Sequence, residues 1–498
     1  MEAATGQAAD VDTGPSTIAL AKTGFAPKLQ RWWPAVYLAG YAVLIGVAVS
    51  RHEPWFDEAQ AWLIARDSNP VTLLTRHLPY EGHPPLWYLL IMLPAKYLPY
   101  WTINVISAAL AFAAAYVVVR HSPFPVVVKV LLPLGFFLFF QYGVVARNYA
   151  LLGVLIFLVA KTYSERFERP YLFAALLFAL ANVSAYAYVL TGVVAAVTTL
   201  ELLRDRRSLP RPAFRKTLVA TAALGAGMAA LAWLMWPPSD RTFATTSGRI
   251  TENALGRAGD IFASGMAGRN LFTIAALLAT TVLFWKTRTL SLYLASTFAL
   301  MVFAAIVYGT IWHQGTMFLT WVLALWIAFE RLDWSKTDEK RIGTVALAAV
   351  VGISGLHVVW SGAAFVADVA NPYSGSEALA NYIENHGLQS STIYGINFPS
   401  VAVNPYFGRN ILANYHEGTA TPSFWWWSTN NGMRDSVDAI LAGKPDYVIV
   451  PIKFPGWQQT VRQLHGYEAL KRFDGMLYWK MGPVEADGYL LMRRIEAG

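Results

Sequence analysis

The sequence predicts a polytopic α-helical membrane protein with a small α/β domain at its C-terminal end. Three observations predict it. Apolar residues gather in runs of roughly 15 to 20, the length that crosses a bilayer as helix. Of the 498 residues 55% are hydrophobic and only 14% charged, too little charge to cover a soluble surface of that size. From about Asn371 onward the long runs stop and short strand-like and amphipathic segments replace them.

Composition narrows the chemistry further. There is no cysteine, which excludes disulfides, thiolate catalysis and thiolate-held metals. The net charge of +8 is spread over many loops. It reads as membrane topology and not as nucleic-acid binding, because no dense basic run joins a soluble fold. The 19 Trp, 24 Tyr and 27 Phe suit interfacial belts and also sugar-stacking platforms. For the run Phe424-Trp425-Trp426-Trp427 the belt use is favoured, as an interfacial anchor.

Charge sets the order of spans. Residues 1–32 are mostly polar and small and lack the apolar centre of a secretion signal; they read as a disordered cytoplasmic tail. Lys22, Lys28 and Arg31 precede the first span, Trp33–Ser50, so the N-terminus is expected inside. Residues 51–100 form an outer loop. Its apolar piece Pro84–Trp101, broken by Pro94, Lys96 and Pro99, is expected to lie in the interface, because two full spans here would put Arg120–Lys129 and Lys161–Pro170 outside. Further spans follow at Trp101–Val119, Phe124–Tyr142 and Tyr149–Tyr163. The run Tyr171–Leu203 has basic flanks on both sides, so it must cross twice; a split near Tyr186–Tyr188 gives two spans of about 24 Å each. Thr217–Trp236 precedes a second outer loop, Pro237–Gly268. The remaining spans are Asn270–Trp285, Leu290–Thr310, Met317–Phe329 and Ile342–Gly362. The expectation is about eleven transmembrane helices over 33–370, with residues 371–498 as an extracytoplasmic α/β domain. Within it Ser374–His386 reads as a helix capped by Ser374 or Ser376 and Val461–Phe473 as a second helix. Thr392–Ile396, Tyr447–Val450 and Tyr489–Arg493 read as strands.

Ionisable residues gather at the outer ends of the spans and are almost absent within them. A transporter of charged solutes keeps such groups near mid-bilayer, so the pattern favours an interfacial site acting on something anchored in the membrane. Four stretches carry the candidates. In Arg51–Trp62, Asp57 and Glu58 are adjacent carboxylates: one can take a proton from a hydroxyl while the other positions it or binds a cation. The pair equally suits the start of a helix, where the macrodipole favours acid residues. In Tyr80–Tyr88, a Gly-His-Pro-Pro turn fixes His83 at the membrane surface near Glu81, or simply punctuates the chain. In Tyr142–Leu151, Arg147 stands at a helix end where a guanidinium can clamp a phosphate at two points or snorkel to the interface. His313 and Gln314, in a short outer turn, are the fourth.

Together the first three stretches resemble the GT-C membrane glycosyltransferases, specifically the family-39 relatives of protein O-mannosyltransferases and the lipid A aminoarabinose transferase. The order is one span, Asp-Glu, then Glu-x-His-Pro-Pro-Leu, then Ala-Arg-x-Tyr-Ala-Leu. The resemblance covers about 50–90 and 141–152. It implies a GT-C fold and an inverting transfer of a sugar from a polyprenyl-phosphate-sugar donor to a hydroxyl of a lipid, glycan or protein acceptor. It implies Asp57 as catalytic base with Glu58 as its partner, and Glu81 and His83 lining the donor or acceptor pocket. Arg147, with Tyr149 of the same motif, would face the donor phosphate. His83 stands where the aminoarabinose transferases carry lysine, a departure from their pattern. Arg241, Arg249, Arg257 or Arg269 could add positive charge for the leaving phosphate. No cofactor is implied, though a divalent cation is compatible with the acidic pair. Location in the inner (plasma) membrane follows, with the C-terminal domain outside. A polysaccharide polymerase or ligase and a lipid-sugar flippase or transporter are the rival readings.

Overall fold

The computed structural model describes residues 27–242 and 253–495. Most of residues 27–370 is helix. Among the described residues seven helices are long and apolar enough to cross a membrane: Arg31–Val49, Thr102–His121, Val126–Val144, Ala185–Arg204, Arg211–Leu234, Ile311–Arg331 and Thr337–Ala370. An eighth crossing results if Ala254–Met266 and Leu271–Lys286, bent by 81° at their junction, count as one. Leu86–Tyr97, Tyr149–Thr162, Pro170–Ala181 and Leu290–Ile306 are apolar but shorter. These helices are those of a polytopic membrane protein.

Several boundaries differ from expectation. The first helix already begins at Pro27, so only 1–26 of the expected tail remain, outside the described residues. The Tyr171–Leu203 run breaks earlier than Tyr186, at Asn182–Ser184, because Ser184 caps the second helix by accepting a hydrogen bond from Ala187 N at 3.1 Å. The loop 237–268 is not all loop: Ala254–Met266 is a helix that buries Ala254, Ala258 and Ile261. The last long helix runs on to Ala370, past the expected end at Gly362, and carries Asp368 into the protein interior.

After the first long helix, Phe56–Asp67 forms a helix that packs on Leu86–Tyr97. Its start needs no capping hydroxyl. Glu58, at the third helical position, reaches back to accept the Trp55 N–H at 3.1 Å.

The C-terminal segment holds a mixed sheet of β1 (Ile393–Gly395), β2 (Tyr447–Pro451), β3 (Tyr467–Phe473) and β6 (Tyr489–Arg494), in spatial order β1-β2-β6-β3. A hairpin of β4 (Met476–Trp479) and β5 (Gly482–Ala486) is separate from it. The expected helix Val461–Phe473 is half wrong: the helix spans Trp457–Gln463, Gly466 turns the chain at φ 83°, and β3 follows because its backbone pairs with β6. The helix after the last long one is Ser376–Asn385, with Gly375 and neither serine at its cap.

Strand alternation sets how this sheet sits. Ile449 of β2 with Tyr489 and Leu491 of β6 join the large core shared with the helices. Val448, Val450, Leu490 and Met492 face a smaller cluster with Ile440 and Leu464 on the other side. One sheet face thus packs against the helical body. The hairpin adds to this seal, since Trp479 lies edge-on to Phe136 and to Trp312, each at 5.0 Å between centroids.

Candidate active site

A cavity of about 930 Å³ opens between the helices of residues 56–97, the ends of several longer helices and the C-terminal segment. Asp57, Glu81, His83, Arg147, Tyr149 and His313 all line it. All four sequence stretches thus reach one space, the first through Asp57 without Glu58 and the fourth through its histidine without Gln314.

Asp57 is in the first turn of its helix. Arg147 is on the short loop 145–148 between the π-helical stretch Phe137–Val144 and the helix Tyr149–Thr162. The two side chains form an ion pair. They remain reachable, with 28% of the Asp57 and 19% of the Arg147 side chain exposed. The loop is held from below. Ala146 N donates to Glu58 Oε1 at 2.5 Å, and Asn148 Nδ2 donates to the Val183 carbonyl at 2.7 Å. Burial pulls the Arg147 guanidinium down from its ordinary value, with nearby tyrosines acting in the opposite direction.

Glu58 is not in the cavity. It is fully buried and already holds Trp55 N, Ala146 N and His52 Nε2, the last at 3.2 Å. His52 Nδ1 in turn meets Asp368 at 3.2 Å. His52 thus bridges two buried carboxylates. Burial pushes the imidazole down, but the charges of Asp368 and Glu58 outweigh it and lift His52 to about 10. This cluster ties the start of the catalytic-candidate helix and the Arg147 loop to the end of the last long helix.

On the other stretch, Glu81 is buried and accepts from Gln60 Nε2 at 2.8 Å. Burial pushes its carboxyl up to about 7, although Gln60 and the Arg241 charge pull it down. His83 Nδ1 faces the Glu81 carbonyl at 3.0 Å; burial lowers the imidazole from its ordinary value. Arg241 also lines the cavity and donates from Nε to the Tyr80 carbonyl at 3.0 Å. The left-handed backbone at Gly82, between them, calls for glycine, and a side chain there would displace the end of Arg241. Its φ is 70°, and a Cβ there would come within 2.5 Å of an Arg241 nitrogen.

Other expected residues are elsewhere. Arg269 is exposed, pairs with Asp260 at 2.5 Å and caps the Gly256 carbonyl. Gln314 is buried but does not line the cavity, because its helix packs its backbone against Gly265. Arg257 is likewise outside the lining, and Arg249 lies outside the described residues. His313 stacks on Tyr186 at 4.2 Å. The run Phe424–Trp427 is not an anchor: Phe424 and Trp425 are buried in the core, Gln60 and Trp425 exchange two hydrogen bonds, and Trp427 lines the cavity.

Sequence reasoning missed Lys453 and Glu485, which the C-terminal segment brings to the cavity wall, and the Asp368–His52 link. No local motif marks these residues; only the fold brings them near position 57. Among the described residues no three His, Asp or Glu side chains are grouped so as to hold a metal ion.

Fold and site together define a polytopic membrane protein with a cavity where Asp57, Glu81 and Glu485 meet Arg147, Arg241 and Lys453. No family model matches the chain, and no curated protein matches it. Among solved structures it is similar to ArnT from Cupriavidus metallidurans, crystallised with undecaprenyl phosphate, at 12% identity over 93% of this chain and 98% of that one, with a TM-score of 0.48. At that level the likeness carries no weight for function, which rests on the residues.

Proposed function

We propose that this chain is a GT-C-type membrane glycosyltransferase that moves a sugar from a polyprenyl-phosphate donor to an acceptor hydroxyl on the extracytoplasmic face. One observation carries the reading: the Asp57, Glu81/His83 and Arg147 stretches, which together resemble family-39 glycosyltransferases, line one cavity. A carboxylate beside a guanidinium at a reachable surface is what a single displacement needs. Asp57 takes the proton of the acceptor hydroxyl as its oxygen bonds to the anomeric carbon. The bond from that carbon to phosphate breaks through an oxocarbenium-like state, and the configuration inverts. The leaving polyprenyl phosphate is already anionic, so it needs cations more than a general acid. Arg147 and Arg241 supply them, and the donor phosphate shares the guanidinium that Asp57 holds at rest. Tyr149 and His313 line the donor side. Glu58 acts through its hold on the Arg147 loop and not by touching substrate.

The same reading assigns the topology: about eleven crossings, the N-terminus in the cytoplasm of a cell with a plasma or inner membrane, and residues 371–498 as an extracytoplasmic domain. The chain's lack of cysteine makes single-cysteine labelling clean. An impermeant maleimide should reach position 57 from outside and position 205 only after permeabilisation. Equal labelling of both on one face overturns the reading.

The catalytic test is Asp57→Asn. The variant should fold as wild type, retain polyprenyl-phosphate binding, and lose transfer of labelled sugar by about 10² to 10⁴. Turnover at the wild-type rate removes Asp57 from the mechanism. A polymerase or ligase using outer-loop cations would instead be lost with Arg249→Ala and survive Asp57→Asn.

A further inference from the structure

The cavity lining divides into two chemistries. One part of the lining consists of the guanidinium groups of Arg147 and Arg241 and of apolar side chains such as Met235, Ile306 and Val307. A second, contiguous strip is aromatic with charged hydrogen-bonding groups at its end. Trp427 and Phe398 lie 5.1 Å apart between ring centroids, and Phe398 is 4.6 Å from Phe56. Beside Phe56, the Trp55 ring lies under the Lys453 ammonium at 4.5 Å. Lys453 pairs with Glu485 at 3.3 Å and approaches Asp487 at 3.7 Å. All of Trp55, Phe398, Trp427, Lys453 and Glu485 line the cavity.

We infer that this strip is a subsite for a neutral sugar ring, and hence that the acceptor whose hydroxyl reaches Asp57 is a carbohydrate. The inference rests on the glycosyltransferase reading and deepens it. A pyranose has C–H faces that pack on aromatic rings and a rim of hydroxyls that both donate and accept. Phe398 and Trp427 are half-buried and offer the rings. Glu485 keeps 37% of its side chain exposed and offers acceptors, while Lys453, only 6% exposed, is fixed beside it. Position matters as much as composition, because Trp55 is two residues before Asp57, so a ring on this strip is next to the base. Charge excludes the obvious alternative. With Glu485 and Asp487 against one lysine, the strip has no excess of positive charge for a phosphorylated acceptor. The step balances as in the proposed transfer: the acceptor-sugar oxygen bonds to the anomeric carbon, its proton goes to Asp57, and polyprenyl phosphate leaves with the electron pair of the broken bond.

The test is saturation-transfer NMR on the full-length protein in nanodiscs, with methyl gluco-, galacto- and mannopyranosides at millimolar concentration. Polyprenyl-phosphate binding is measured on the same samples. At least one pyranoside should receive saturation. Glu485→Gln should weaken it about ten-fold, as expected for a hydrogen bond to a charged group. Trp427→Ala should abolish it and Trp427→Phe should restore it. If wild type binds polyprenyl phosphate but no pyranoside, or if a pyranoside signal survives both Glu485→Gln and Trp427→Ala, the subsite is overturned while the glycosyltransferase reading stands. A serine-containing peptide that takes the signal and loses it in Glu485→Gln also overturns the carbohydrate assignment. If neither polyprenyl phosphate nor a pyranoside binds, both fall.

Discussion

Two adjacent carboxylates, one residue apart in sequence, sit in opposite environments. Asp57 faces the cavity and meets a guanidinium that solvent and ligand can reach. Glu58 turns inward and is sealed with His52 and Asp368, with no side-chain exposure at Glu58 or His52. The helix explains the division, because successive side chains are about 100° apart around its axis and one helix start therefore serves both a site and its foundation. The pairing of acid with base is the same in both places, and accessibility separates the two.

That comparison breaks most sharply at Glu58. Its removal strands two backbone N–H groups, Trp55 and Ala146, and leaves His52 with one carboxylate. Breaking a buried pair in this way costs about 3–5 kcal/mol. Glu58→Ala should therefore lower the thermal midpoint in detergent sharply and lose activity through the displaced Arg147 loop. Asp57→Asn should lose activity with the midpoint nearly unchanged. If Glu58→Ala is as stable as Asp57→Asn, the division of labour is wrong.

Glu81 sharpens the comparison, being buried like Glu58 yet in the cavity like Asp57. Burial holds its carboxyl up at about 7 against the pull of Gln60 and Arg241. The folded protein therefore keeps a proton there that the unfolded chain releases near the ordinary carboxylate value. Its contribution to stability is fully present below about pH 4.5 and is lost as pH rises through about 7. Glu81→Gln, which keeps a hydrogen-bonding side chain but cannot ionise, should flatten that fall and gain roughly 1–3 kcal/mol relative to wild type at pH 8. Parallel pH profiles for wild type and variant would show that Glu81 does not titrate in this window.

The sequence made the helical body legible because a bilayer demands long apolar runs and marks their ends with charge. Asp57, His83 and Arg147 were legible because each is at such an end. Glu58 was ambiguous on the dipeptide alone, since its cap geometry and a catalytic use produce the same two letters. Lys453 and Glu485 were invisible: they reach the cavity only because the alternating faces of β2 and β6 press the C-terminal sheet onto the helices. The Val461–Phe473 segment misled because apolar spacing over so few residues fits helix and strand alike, and pairing with β6 decided it. Asp368 was missed because the long helix extends beyond its apolar run, with nothing in the local sequence to say that its end turns inward.

The smallest effect belongs to Arg269, which sequence reasoning grouped with the phosphate-facing cations. It is more than half exposed, its partner Asp260 equally so, and neither lines the cavity. Water screens such a pair, and ordering two long side chains offsets most of its Coulomb gain, so exposed pairs are worth about 0–1 kcal/mol. Arg269→Ala should therefore leave the thermal midpoint within a degree or two, and transfer activity and donor KM unchanged. Arg147→Ala should raise the donor KM and remove activity, although both residues are arginines at helix ends. A donor KM that rises as much in Arg269→Ala as in Arg147→Ala would mean that the phosphate is bound outside the cavity, and the distinction between a reachable, pre-paired guanidinium and an ordinary surface one would lose its meaning here.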